Sequence, residues 1–225
     1  MRLVLLSFGL CLSFFLQAQT SGKVVFNEKW ERSFRNWSYT EAHTWELYFN
    51  DTIAVCHWIK PEEKESAGAV KTFSWMQDLE DVYVSHIREK QVEDAVEFFR
   101  RTFLIDGDFP SFKWKMTGKQ GLVEEFPSME AMTVSGSDTI YAWFSPRIQV
   151  PVGPREFRGL PGLILFLETE GGNRSFTLES VDLNYTPTSE DLSFKRPNKG
   201  KEMTYDEFIK FRNEKAEEMR EMYGR

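Results

Sequence analysis

The sequence predicts a mainly β protein: a single antiparallel β-rich bowl or half-open barrel with one C-terminal α-helix. Three observations carry this. Apolar and polar residues alternate with period two over most of the chain, the alternating runs are separated by Gly or Asn-Asp turn signals, and a capped helical stripe occurs only near the C-terminus. Seven Trp and twenty Phe among 225 residues suit a wide, aromatic-filled β interior.

The chain opens with residues 1–18, which read as a signal peptide: Arg2, an apolar run from Leu3 to Leu16, and Ala18 as a small residue suited to cleavage. Residues 19–225 are expected to form one domain with no transmembrane span, exported to the periplasm or secreted. The net charge of −7 argues against nucleic acid as a partner. Removal of the leader leaves Cys56 as the one cysteine, so no internal disulfide can form and the core must hold the fold.

Lys23 to Phe34 reads as the first strand. His43 to Trp58 is the clearest hairpin, and a two-residue Asn50-Asp51 turn would pair Trp45 with Cys56 and Leu47 with Ala54. Trp45, Leu47, Phe49, Ala54, Cys56 and Trp58 then share the core face. Residues 61–68 (PEEKESAG) form a charged loop. Asp81 to Phe109 reads as strands, although EDAVEFFRR also fits a short helix. A strand is expected from Phe112 to Met116, ending at Gly118, and a second hairpin over Met129–Ser135 and Asp138–Phe144. LILFL after Gly162 reads as a buried strand, and SFTLESVDL returns after Gly171-Gly172-Asn173. Asn184 to Gly200 is irregular. Thr204-Tyr-Asp-Glu207 is a capping box, and Phe208, Phe211, Lys215 and Met219 form the stripe of a helix placed on the outside or the edge of the sheet.

The chain is organised around AWFSPRIQVPVGPREFRGLPGLILFL, residues 142–167. Its prolines exclude regular structure in the middle, and Pro161-Gly162 predicts a type II turn with Gly162 at the positive-φ position. Gly159 is expected to permit close backbone approach. Gly159, Leu160, Pro161, Gly162, Leu163 and Ile164 are thus structural, a loop feeding directly into a core strand.

This run, with AWFSP and Gly153-Pro154 before it, resembles the signature of the GLPGLI family of secreted proteins of Gram-negative bacteria. The LYFND hairpin, the Trp114–Gly118 segment and the Lys-rich approach to the last helix also match. Ser128 stands where many members carry a Cys, which removes any conserved-thiol role. The resemblance implies a fold and an exported location without an established activity. A similar domain looks to be attached to a secreted N-glycosidase, which implies an accessory, binding role.

The chemical candidates are few. Cys56 and His57 are adjacent in a strand and point to opposite faces, so they cannot act as nucleophile and base. His43, His57 and His86 are too scattered for a metal site, and no cofactor is expected. Glu62-Glu63, Glu124-Glu125 and Asp78/Glu80/Asp81 read as solvated surface. Glu156 and Glu168 flank the central segment, and a hydrolase of peptide or glycan would draw on Glu156. Arg147, Arg155 and Arg158 concentrate positive charge on the loop, and Trp143 offers a stacking face. The reading favoured by the missing catalytic set is a non-enzymatic binding or envelope-associated protein. It would use the Pro151–Gly162 loop, with Trp143, Arg147, Arg155, Glu156 and Arg158 as contacts to an envelope protein, peptide or glycan.

Overall fold

The computed structural model describes residues 20–34, 37–59, 81–110, 112–136 and 138–223; the expected signal peptide and the PEEKESAG loop lie outside them. Twelve strands form one sheet: β1 Gly22–Phe34, β2 Trp37–Phe49, β3 Ile53–Ile59, β4 Val82–His86, β5 Gln91–Phe98, β6 Arg101–Asp108, β7 Lys115–Val123, β8 Phe126–Ser135, β9 Asp138–Ser145, β10 Leu163–Thr169, β11 Arg174–Asp182 and β12 Lys201–Met203. Helix α1, Tyr205–Tyr223, follows. The strand order is β12-β6-β5-β4-β3-β2-β1-β11-β10-β9-β8-β7, antiparallel except that β12 lies parallel to β6, and the sheet is open.

The connectivity explains the curvature. Strands β6 and β7 are consecutive in the chain but stand ten strand-to-strand steps apart in the sheet. Laid flat, that is about 48 Å. Residues 109–114, which join them, reach at most about 25 Å when fully extended. The sheet must therefore curl until its two ends approach each other. Phe112 and Trp114 in this link pack into the interior: Phe112 against Phe157 and Tyr205, and Trp114 through its indole N–H to the Arg158 carbonyl at 2.8 Å.

The core occupies the concave face, where alternation puts Val24 and Phe26 of β1, Trp45, Leu47 and Phe49 of β2, Ala54 and Cys56 of β3, and Phe176 of β11. The first hairpin pairs Leu47 with Cys56 and Trp45 with Trp58, two residues away from the expected register. The Asn50 side chain accepts hydrogen bonds from the amides of Thr52 and Ile53 and from the Thr52 hydroxyl, drawing Thr52 into the loop with Asn50 and Asp51. A shift of two preserves side-chain parity, so the face assignment stands. EDAVEFFRR forms no helix: it is the end of β5, the Phe99-Arg100 turn and the first residue of β6. Strand β7 begins later than expected and runs through Gly118 as an exposed edge.

Helix α1 is capped as its sequence dictates: Glu207 accepts from the Thr204 amide at 2.8 Å, and the Glu207 amide donates to the Thr204 hydroxyl at 3.3 Å. It lies at the β6 end but on the core face, not outside. Phe208 and Phe211 pack on Phe103, with ring centroids 5.4 and 5.3 Å away.

The β9–β10 connection, residues 146–162, folds back over the concave face as a plug. Ile148, Val150, Val152, Phe157 and Leu160 are buried within it. It is stitched by the Leu163 amide to the Ile148 carbonyl, Ile164 to Val152 and Gly159 to Pro151, all at 2.9 Å. Pro161 centres a three-residue turn, with the Gly162 amide donating to the Leu160 carbonyl at 2.8 Å, and not the type II turn that the dipeptide suggests. The close approach expected of Gly159 belongs to Gly162. A Cβ there would stand 2.2 Å from the Ser145 carbonyl oxygen, while Gly159 takes φ +92° with ordinary space around it.

Candidate functional site

The plug delivers two charged side chains to the wall of a cleft and a third behind it. Arg155 is held by its own backbone, whose amide reaches Cys56 Sγ at 3.4 Å, and by Tyr83, whose hydroxyl accepts from Nε and Nη2 at 2.9 and 2.6 Å. Its guanidinium lies 5.0 and 5.3 Å from the Trp45 and Tyr83 rings, within reach of Glu28, Asp81 and Glu156 at 3.3–3.7 Å. Arg158 is 1% exposed and makes a two-pronged pair with Asp94 at 2.8 and 3.0 Å. Arg174 donates to Glu28 at 2.6 Å and stacks on Trp30 at 4.5 Å. The Trp45 indole N–H donates to the other Glu28 oxygen at 2.8 Å.

Above this floor opens a cleft of about 430 Å³, bounded by the β1–β2 and β5–β6 hairpins, the end of β3 and the start of α1. Trp30, Trp58, Phe98, Phe99 and Tyr205 supply its aromatic walls, and Arg212 reaches in from α1 to meet Glu156 at 3.3 Å.

Burial and charge set the protonation states. Burial drives the Glu156 carboxyl upward, but the guanidiniums of Arg155, Arg212 and Arg174 outweigh it and hold the group down at about 2. For Asp81 burial wins over Arg155 and the Glu97 amide, and its pKa rises to about 6. Burial also pushes the Cys56 thiol up to about 12, leaving it inert, and His57 stacks on Tyr48 on the opposite face, as strand alternation requires.

Of the residues singled out from sequence, Arg155 and Glu156 meet in the cleft, and Arg158 lies buried behind it. Trp143 sits on the outer face of β9, against Gly121, and Arg147 is exposed in the turn after β9; neither reaches the cleft. Glu168 lies on β10 away from it. Asp81, read as solvated surface, is 5% exposed. The structure adds Glu28, Asp94 and Arg174, whose positions carried a signal: each occupies the inward phase of an alternating strand, as in Val24-x-Phe26-x-Glu28 and Val92-x-Asp94-x-Val96. Among the described residues no group of three or more His, Cys, Asp or Glu is arranged to hold a metal ion.

One backbone feature at the cleft mouth stands out. The β5–β6 hairpin turns on Phe99-Arg100, both with positive φ (51° and 59°), and Phe99 is 56% exposed. Such two-residue turns favour Asn-Gly. The left-handed conformation costs roughly 1–2 kcal/mol per ordinary residue. The edge-on contact of Phe99 with Phe98, centroids 4.6 Å apart, returns only about 0.5–1.5 kcal/mol.

Residues 76–166 match the family model described as "Protein of unknown function (Porph_ging)". The matched span covers β4 to β9, the plug with its Gly159–Ile164 motif, and the start of β10. No curated protein sequence matches. Two crystal forms of PNGF-II resemble the fold at TM-scores of 0.54 and 0.51, each at 15% identity and covering 83% of this chain and 32% of theirs. The chain thus spans about a third of the length of those structures. A domain of an outer membrane lipoprotein-sorting protein from Vibrio parahaemolyticus aligns at a TM-score of 0.30 and 8% identity, over 78% of this chain and 90% of its own, too low to carry an argument.

Proposed function

We propose that this is an exported, non-catalytic binding domain of the cell envelope, and that its ligand, an envelope protein, peptide or glycan, sits in the concave cleft. The observation that carries this is the aromatic wall of that cleft, half-buried and open above a floor whose charges pair with one another. Trp58, Phe98 and Phe99 line it with apolar rings, while each interior guanidinium is ion-paired with a carboxylate. The loop divides its work: Arg155 and Glu156 shape the cleft, and the rest fills the core. The hydrolase alternative loses its acid, because Glu156 is held at about 2 between two arginines and neither gives nor takes a proton near neutrality. Asp81 titrates in a useful range, but its carboxylate is 6% exposed and engaged by the Glu97 amide and the Tyr83 hydroxyl. A fold that recurs over about a third of a longer chain also suits a module. No described helix is long and apolar enough to cross a membrane.

The test is retention of solubilised envelope fractions from the native host on immobilised mature protein, with Trp58→Ala beside the parent. Retention lost in Trp58→Ala supports the cleft. Equal retention by both places the binding surface elsewhere, and hydrolysis of the retained material would restore the enzyme.

A further inference from the structure

We infer that the Phe99-Arg100 turn is the specificity element of the cleft, and that the cleft takes a ligand whose apolar body ends in an acidic group such as a carboxylate. This rests on the binding role proposed above and narrows it.

The aromatic faces separate into two sets. Trp45 and Tyr83 already flank Arg155, and Trp30 carries Arg174, so these rings are covered from within the protein. Phe98 is packed by Phe99, Phe208 and Phe211, so the faces left to a ligand are chiefly those of Trp58 and Phe99. Shape and burial therefore select an apolar group, a ring or an alkyl chain, against that wall.

The charges separate in the same way. Four guanidiniums, Arg155, Arg158, Arg174 and Arg212, face four buried carboxylates, Glu28, Asp81, Asp94 and Glu156, and the floor is balanced at neutral pH. Glu41 at the cleft side meets His43 at 4.0 Å. Glu97 lends its backbone: its amide binds Asp81, and strand parity sends its carboxylate to the outer face with Glu93. Arg100, exposed at the tip, adds a cation at the mouth outside these ion pairs. An acidic group at the mouth meets the Arg100 guanidinium while its apolar body lies on the aromatic wall.

The backbone strain ties the two halves together. A two-residue hairpin reversal takes positive φ at both positions but selects Asn-Gly for them, not an exposed phenyl and a guanidinium. A turn that must present a ring and a guanidinium side by side takes them instead.

Calorimetric titration of the mature chain with 4-phenylbutyrate and with octanoate, beside neutral 4-phenylbutyramide and 1-octanol, tests this. Each acid should bind at least ~10-fold more tightly than its neutral partner. Arg100→Gln should abolish that preference, and Phe99→Ala should weaken acid and neutral probe alike. The tighter of the two acids identifies the body as aryl or alkyl. Equal binding of acid and neutral partner, no binding of either acid, or a preference that survives in Arg100→Gln overturns the inference. Any of these beside Trp58-dependent retention of an envelope fraction leaves the binding role standing.

Discussion

Replacing the strained turn with Phe99→Asn/Arg100→Gly should make the protein more stable and a poorer binder. Two ordinary residues in the left-handed region cost about 3 kcal/mol together, and Asn-Gly relieves most of this. Against the gain stand about 0.4–1 kcal/mol for the freedom glycine adds to the unfolded chain and about 1 kcal/mol for the lost Phe98–Phe99 contact. The balance is about 1 kcal/mol in favour of the variant, or a rise in Tm of about 2–4 °C for a domain of this size. Differential scanning calorimetry of parent and variant at one pH reads it directly, and Arg100→Gly alone should give part of the rise. The same double variant should lose at least ~10-fold in affinity for 4-phenylbutyrate. A Tm that falls or stays put would refute the strain argument. A Tm that rises with affinity intact would leave the strain real and the binding element elsewhere.

Arg158→Ala should destabilise by about 3–5 kcal/mol, because it strands Asp94 as an uncompensated buried charge; urea denaturation checks it, and a near-neutral result would contradict the buried pair. This reverses what a ligand-facing Arg158 would give. Gly162→Ala should cost about 1–3 kcal/mol from the clash with the Ser145 carbonyl, whereas Gly159→Ala pays only for its positive φ; unchanged unfolding of Gly162→Ala would defeat the close-approach argument. Burial raises the Asp81 carboxyl to about 6 from the 3.8 of an ordinary aspartate, so its ionisation opposes folding at neutral pH and that penalty is relieved as pH falls from about 6 toward 4. Between pH 7 and 4 the parent should therefore gain on the order of 2–3 kcal/mol relative to Asp81→Asn, and parallel stability profiles would contradict the assignment. Cys56, 1% exposed with a pKa near 12, should react with thiol reagents only once denaturant is added, and rapid labelling of the native protein would exclude the buried site.

Most strands were legible because one face of each is buried, which imposes period two on the residues. What failed to register had a physical reason. Residues 37–42 belong to β2 but read Trp-Ser-Tyr-Thr-Glu-Ala, too polar to announce a strand. Strand β7 is an exposed edge with glycines at 118 and 121, so no core face marks it, and β12 is three residues long. The cleft was half visible. Alternation puts Trp45 and Trp58 on the inward face, and charge on a proline-bounded loop points to Arg155 and Glu156, but nothing local says that a loop at 155 lines one cleft with a hairpin at 99 and a helix at 212. Asp81 reads as surface because Asp78 and Glu80 beside it are polar, while the groups that hold its carboxylate, the Glu97 amide and Arg155, are distant in sequence.

The strand order has a consequence for how the chain assembles. Strands β1–β6 and β7–β11 are two meanders of neighbouring hairpins, joined along the single seam where β1 lies against β11. Every contact inside a meander closes a short loop, but the seam closes one of about 150 residues, as Lys23 against Asp182 and Trp30 against Arg174. Such non-local pairing is slow to form. The Glu28–Arg174 pair that walls the cleft spans that seam, so the site is complete only once the seam has closed. A chain halted before β11 would lack Arg174 and the seam, and with them a complete cleft.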